Sequence, residues 1–543
     1  MQSSIQFRDE AAKRGVHFMH HPNRSSARLM PEVLGAGVAV ADFDRNGAPD
    51  LYFVGGGDLS QDVRPAKSYD RLYLNDGTGN FRDASEDWGI SGTGFGMGVA
   101  CGDYDNDGWV DLLLTTFADG ERLLRNTGGA FEDVTVAAQL ESKDRWGTSA
   151  GFFDCDGDGD LDVYVACYVD YDLRAALPCW HNERQVYCSP ALFDAAPDKL
   201  LINNGDGTFS DKSAAVDVQG FRGKGLALVL GDVDWDGDVD AYVANDITRN
   251  LLLMNDGAGG FEDRGRIAGV AYDETGRAAA GMGADLSDVD GNGLLDISCT
   301  NFQEETSNIY LQKPEGVFRD RSYALGVGSS GHQRLSFGVD FCDLDNDGDE
   351  DLFIANGHID DGIGSVSAKV TFAQQNSVYR LGDDGRFSDL SDASGKSMQA
   401  AEVSRGAVSA DLDGDGVLDL VVTNNAGPAR LLMNASPLDG QGSVVLWLEG
   451  VKSNRSAIGT RVEVQLPDGV MRREVRGASS YLSQCDSRIH VGIGAAAASG
   501  AITLLWPSGE RQEIGELAAG FYRVVEGAGP APFVPGAALI PPG

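Results

Sequence analysis

With 83 acidic against 43 basic residues among 543, the chain carries a formal charge of −40. A field of that sign argues against nucleic acid and anionic membrane as partners. Its apolar content of 42% fits a soluble globular protein, and no run approaches the roughly 18 apolar residues of a spanning helix, so membrane insertion is not expected.

The first ten residues, MQSSIQFRDE, contain neither a basic stretch nor an apolar one. The chain therefore reads as cytoplasmic as written, or as secreted if a leader has been removed. Within this segment Phe7-Arg-Asp9 has the form of a short strand that recurs six more times, at Phe81, Phe131, Phe209, Phe261, Phe318 and Phe387.

From Asp42 onward a loop D-x-D-x-[DN]-G-x-x-D occurs seven times. Its positions 1, 3, 5 and 9 are Asp42, Asp44, Asn46 and Asp50, then Asp103, Asp105, Asp107 and Asp111, then Asp154, Asp156, Asp158 and Asp162. The fourth and fifth copies use Asp232, Asp234, Asp236 and Asp240, and Asp288, Asp290, Asn292 and Asp296. The last two use Asp343, Asp345, Asp347 and Asp351, and Asp411, Asp413, Asp415 and Asp419. Carboxylates at this spacing, a backbone carbonyl at position 7 and a glycine at position 6 suit calcium, a hard cation taking six to eight oxygens. Magnesium demands a stricter octahedron and fits less well. Position 12 is never the bidentate glutamate of an EF-hand, and each loop is preceded by a small, apolar run and followed by a β-type run, so it joins two strands. Up to seven structural Ca²⁺ are expected.

Each unit reads as a Gly-rich strand, the Asp loop, a second strand, a third ending near Leu-x-x-Asn, and a fourth carrying Phe-x-Asp. Four strands repeated radially describe a β-propeller. Seven loops and seven Phe-x-Asp strands match if the N-terminal strand completes the last unit. The expected fold is therefore all-β: a seven-bladed propeller over residues 1–435, a small β domain over 436–526 and a loose tail over 527–543.

By strand order the Asp loops lie on one face, and the remaining connections lie on the other. Six of the seven histidines fall in the second class: His17, His20, His21, His181, His332 and His358. The same face receives two long insertions, roughly 167–198 with Tyr171, Trp180 and Tyr187, and 356–376 with Asp360 and Asp361. Long loops on a rigid scaffold commonly carry function. Cys179 and Cys188 share the first insertion, either as a disulfide or as two thiols.

The C-terminal runs Asn454-Arg-Ser-Ala-Ile-Gly-Thr-Arg-Val, Arg473-Glu-Val, Ser480-Tyr-Leu-Ser-Gln, Val491-Gly-Ile-Gly and Trp506-Pro-Ser-Gly complete a pattern. With the Asp-loop repeats, it resembles FG-GAP or VCBS repeat propellers such as the integrin alpha head. More closely it resembles the CRTAC (cartilage acidic protein) family with its ASPIC/UnbV domain. Phe18-x-His20 with Glu32, the Cys179–Pro190 segment and Asn356-Gly-His358 look like elements of that family.

Two functions are expected from this. UnbV-type members belong to enediyne gene clusters, which implies a tailoring enzyme or substrate-binding protein acting on an aromatic or polyketide ligand. In that reading His20, His21, His181 and His358 with Glu32 are the catalytic candidates, and Tyr171, Trp180, Tyr187, His332 and Asp360 contact substrate. No Walker, Rossmann or G-x-S-x-G motif implies a nucleotide cofactor or serine nucleophile. The alternative is a secreted, calcium-dependent recognition module that binds protein or glycan on the same face.

Overall fold

The computed structural model describes residues 5–537, apart from 58, 60–68, 91–93, 118, 141–144, 215–219, 221, 315, 329–330, 439 and 467–468. The chain is all-β in organisation, with only brief helical turns. Seven antiparallel four-stranded sheets account for residues 7–434. Their first strands are Val38–Ala41, Phe95–Gly102, Gly147–Phe153, Gly225–Gly231, Gly281–Ser287, Ser336–Cys342 and Ser404–Ala410. Each packs beside the next, and Ser404–Ala410 packs beside Val38–Ala41. The strand Phe7–Asp9 pairs with Arg430–Asn434, Phe7 opposite Asn434, and so supplies the fourth strand of the last sheet.

The Leu-x-x-Asn motif has a defined task. In the first sheet the Asn75 amide N–H donates to Asp50 at 2.7 Å, while its side-chain amide donates to Pro49 O and to Leu412 O of the last sheet. Asn126, Asn203, Asn255 and Asn434 repeat this, each donating into its own Asp loop and into that of the preceding sheet. Buried backbone carbonyls are thereby satisfied and neighbouring sheets joined. The Phe-x-Asp motif works locally: Asp83 accepts from both the N–H and the hydroxyl of Ser85, and Ser85 Oγ accepts from Leu72 N–H, ordering the turn that follows the fourth strand.

The remaining strands form a second unit of two four-stranded sheets. One is built on Gly442–Glu449, antiparallel to Ile489–Gly494 and parallel to Gly520–Val525; the other is built on Arg461–Leu466. Val444, Leu446, Val462, Leu504 and Trp506 share one apolar core with the second to fourth sheets. The segment expected as a loose tail is ordered as far as it is described. Ala531–Pro532 pairs with Tyr522 and Arg523, and Phe533 packs edge-on against Trp447 and Phe521. An aromatic residue anchors a stretch whose Pro/Gly/Ala composition had suggested disorder; residues 538–543 lie outside the described part.

Candidate functional site

The seven Asp loops share one hydrogen-bond plan. The position-1 carboxylate accepts from the position-6 glycine N–H, as Asp42 does from Gly47 at 2.7 Å. Position 9 accepts from the position-2 N–H and from the third strand, as Asp50 does from Phe43 at 2.9 Å and from Asn75. These bonds fold the loop so that carboxylate oxygens of positions 1, 3 and 9 come within 4.8 Å of one another in the first, second, third and fifth copies, and those of Asp232, Asp234 and Asp236 do so in the fourth. Burial pushes Asp42, Asp103 and Asp411 up to about 7 and Asp296 to about 8, since so many buried carboxylates repel one another and lose hydration. Oxygen-only donors, clustered and partly buried, fit a hard divalent cation. Nearby cations meet part of the need: Arg125 pairs with Asp105 and Asp107, Arg380 with Asp345 and Asp347, Lys313 with Asp290, and Arg14 with Asp413.

The second unit sits on this end. Arg461 donates to Asp232 Oδ2 and Trp235 O, both at 2.9 Å, and Arg473 pairs with Glu350 at 2.5 Å. Arg476 pairs with the fully buried Asp285 at 2.8 Å, and Arg488 donates to Gly47 O at 3.0 Å. His490 lies against Gly416 O and so belongs to this interface. Between these arginines residues 477–485 run in among the first strands: Ser480 bridges Ala284, Gln484 bridges Ala39, and Tyr481 OH reaches Leu34 O at 2.7 Å. Gly37 has no room for a side chain here, because a Cβ would meet Leu482 O at 2.2 Å. Sequence reasoning takes Ser480-Tyr-Leu-Ser-Gln only as a family mark and misses this insertion, as nothing in five uncharged residues of mixed polarity announces a long-range partner.

At the opposite end the two insertions and the segment around Arg28 are tied together. Cys179 and Cys188 form a disulfide that closes the hairpin Cys179–His181/Arg184–Val186. Arg184 forks onto Asp360 at 2.7 and 2.5 Å, and Arg28 pairs with Asp361 at 2.8 Å while stacking over Tyr187. Asp360, expected to contact substrate, is thus engaged in a structural clamp.

The candidate histidines divide into two groups. His20 and His358 are buried, at 1% and 2% exposure. Each accepts a backbone N–H at Nδ1, from Ala426 at 3.3 Å and from Asp360 at 2.9 Å, which leaves Nε2 as a donor without a partner. Burial lowers His20 to about 3 and His358 to about 4. The fully buried guanidinium of Arg405 adds to both shifts. Rings held neutral so firmly are not tuned for acid–base exchange near pH 7, contrary to expectation. Glu32 is buried too, but its carboxylate accepts from the N–H and hydroxyl of Ser25 and makes no bond to His20. His21, His181 and His332 are exposed.

The aromatic candidates also separate. Tyr171 packs against Phe117, Trp146 and Phe193, so its ring is structural where ligand stacking was expected. Trp180 is 61% exposed on the hairpin. Tyr187 alone lines a cavity of about 320 Å³, together with Tyr168, Phe302, Phe337, Asp246 and Glu305. Asp246 and Glu305 were not singled out from sequence. A signal existed: the sixth residue after each loop-closing aspartate is Gly56, Phe117, Tyr168, Asp246, Phe302, Gly357 or Asn425, and aligning the repeats marks Asp246 as the one acid in that register.

Seven acidic loops on an all-β repeat, with a second β unit seated on them, define the class of protein. The description "FG-GAP-like repeat" matches residues 42–114, 103–165 and 288–354, and "ASPIC and UnbV" matches residues 450–530. FG-GAP-like repeats followed by an ASPIC and UnbV domain are consistent with the CRTAC/ASPIC-UnbV family. It is similar to cartilage acidic protein 1 of Mus musculus, 26% identical over 78% of this chain and 72% of that one. The Homo sapiens protein of the same name is also 26% identical, over 78% and 70%. Among solved structures it is similar to an Agrocybe aegerita lectin that recognises non-reducing terminal N-acetylglucosamine, at 17% identity, with 73% of this chain and 86% of that one covered and a TM-score of 0.39. A Bacillus licheniformis rhamnogalacturonan lyase aligns at 15% identity over 73% and 71%, with a TM-score of 0.38. Structural likenesses this weak say nothing about ligand or activity. Among the described residues no helix is long and apolar enough to cross a membrane.

Proposed function

We propose that the protein is a calcium-dependent recognition module: a closed seven-bladed propeller over residues 1–435 that holds a protein or glycan partner at the end opposite its Asp loops. Calcium in this reading is structural, since its chemistry suits oxygen donors presented on short, rigid loops. The observation that carries the proposal is the occupation of the Asp-loop end by the chain's own second unit, which leaves the clamped insertions as the large accessible surface built for contact. The packing of Ser404–Ala410 beside Val38–Ala41 supports the closed ring. A disulfide in the exposed insertion supports a non-reducing location. The expected tailoring chemistry is the weaker reading, because the two buried histidines stay neutral and neither meets Glu32.

The test is a panel of glycans and extracellular matrix proteins bound with and without calcium. Binding is expected to need calcium and to fall at least tenfold in Arg184→Ala and Trp180→Ala with unchanged melting. A partner that protects the Asp-loop end instead, or ignores both substitutions, would sink the assignment.

A further inference from the structure

We propose that the cavity beneath the insertions binds a compact organic cation, an ammonium or quaternary ammonium head on an apolar body. The cavity, about 320 Å³, falls at the lower end of the range used for small ligands. Most of its wall is apolar, from Met30, Leu34, Met282 and the rings of Tyr168, Phe302 and Phe337. Two carboxylates, Asp246 and Glu305, are set into that wall, and no lysine or arginine lines it.

The carboxylates are only partly engaged. Asp246 accepts the Tyr168 hydroxyl through Oδ2, and Glu305 accepts the Ala280 N–H through Oε2 at 2.8 Å. Neither forms an ion pair among the described residues, although Lys224 and Arg277 are close enough to influence them. Lys224 is turned aside, donating its ammonium to Pro190 O at 2.6 Å. Burial raises Asp246 to about 6, Glu305 adds to that rise, and Glu305 is itself raised by burial. A bound cation would relieve both, and two like charges facing an apolar space exclude an anionic ligand.

The aromatic walls sharpen the choice of cation. A ring face attracts a cation within about 6 Å, most strongly once the cation is desolvated. Arg405 already lies 3.9 Å over Phe337, and Arg28 lies 5.3 Å over Tyr187. Those two rings therefore contribute mainly shape. Tyr168 and Phe302 carry no such partner among the described residues and stand beside the acids in the cavity wall. A bare alkali ion would lose its water for little return here, whereas a diffuse ammonium with methyl or aryl substituents gains apolar burial as well.

The pocket rests on its own geometry and survives or fails separately from the macromolecular partner. Titration calorimetry of the full chain in saturating calcium, with benzyltrimethylammonium as probe and benzyl alcohol and benzoate as controls, decides it. The cation is expected to bind at least tenfold more tightly than benzyl alcohol, with benzoate undetectable. Glu305→Gln, which keeps the volume and the acceptor for Ala280, is expected to weaken the cation about tenfold without changing melting. Asp246→Asn should do the same or more; because Asp246 also holds Tyr168, Glu305→Gln and Phe302→Leu decide the matter if that variant does not fold. Equal affinity for benzyl alcohol, or full affinity in both Glu305→Gln and Phe302→Leu, overturns the proposal. Retained partner binding in a variant that has lost the cation would leave the recognition reading standing.

Discussion

The two ends of the sheets are made from the same repeat, and they differ in how regularly that repeat is kept. At the Asp-loop end one solution is used seven times: a carboxylate cage closed by backbone amides, acidity met by cations, and a second unit whose arginines reach the loops. At the other end one bond pattern recurs, Asp70 and Asp198 each accepting a tyrosine hydroxyl and a backbone N–H, but the described insertions differ in length and content. Polar atoms are buried without partners there, as at His20 Nε2, His358 Nε2 and Arg405 Nη2, and among the loops too, as at Asp105 Oδ1 and Asp345 Oδ1. Repetition marks the scaffold, because a structural problem recurring in each unit gets the same answer. Specificity belongs where the register breaks.

Removing the metal should produce the largest difference between the ends. If the cages hold calcium as proposed, chelation is expected to lower the melting temperature by about 10 °C or more, and calcium should restore it better than magnesium, because an ion held by the folded cages and not by the unfolded chain stabilises the fold. Protease sites should open first in the second unit, whose arginines contact the loops directly. A chelator that leaves melting unchanged would break the comparison at its root.

Smaller, but still large, is the effect of cutting one tie between the units. Arg476→Ala leaves Asp285 buried at 0% exposure without its cation, which is expected to destabilise by about 3 kcal/mol in denaturant unfolding. The matching cut at the other end, Arg28→Ala, removes a pair whose acid Asp361 is 46% exposed and should change stability by less than about 1 kcal/mol. Equal losses at both ends would mean that the second unit is no more integral than a surface clamp.

Much of this asymmetry was legible in sequence, and the part that was not has physical reasons. The loops announce themselves because metal-ligand chemistry needs fixed residue types at fixed spacing. The four-strand order is visible because Asn75 and its equivalents serve both their own and the preceding loop, so the motif recurs. Docking of the second unit was invisible: Arg488 donates to a backbone carbonyl, and any residue at position 47 would offer one. The burial of His20 was also hidden, since a loop histidine reads as solvated until the chain packs Ala426 and Gly35 around it. The cavity draws on residues from 30 to 359, which no local pattern connects.

The buried histidines predict a pH response at the end opposite the loops, to which His490, lowered by burial to about 4 at the loop end, adds one of the same sign. His20 has its proton affinity lowered from 6.5 to about 3 in the fold, so on acidification the unfolded chain takes up its proton first. The stability from keeping this ring neutral is complete above pH 6.5 and is lost as pH falls toward 3. Between pH 6.5 and 5, wild type should lose about 2 kcal/mol relative to His20→Asn, and His358 adds a loss of the same sign. Parallel stability–pH curves for wild type and His20→Asn would show that the ring is not held neutral.

The smallest global effect is expected from opening the disulfide. Chain entropy alone assigns such a short loop roughly 2 to 3 kcal/mol, but that figure counts only if the hairpin unfolds together with the sheets. The hairpin residues Cys179–His181 and Arg184–Val186 are at most half-buried, their strands pair only with each other, and their outward ties are the side-chain bonds of Arg184 to Asp360 and Gln185 to Ala27 O, so they can open while the seven sheets stay folded. Cys179→Ser with Cys188→Ser should therefore move melting by less than about 2 °C. Cleavage within residues 167–198 should accelerate at least tenfold, and partner binding should fall with it. A large melting loss in the double variant would instead make the insertion part of the scaffold and erase the distinction between the two ends.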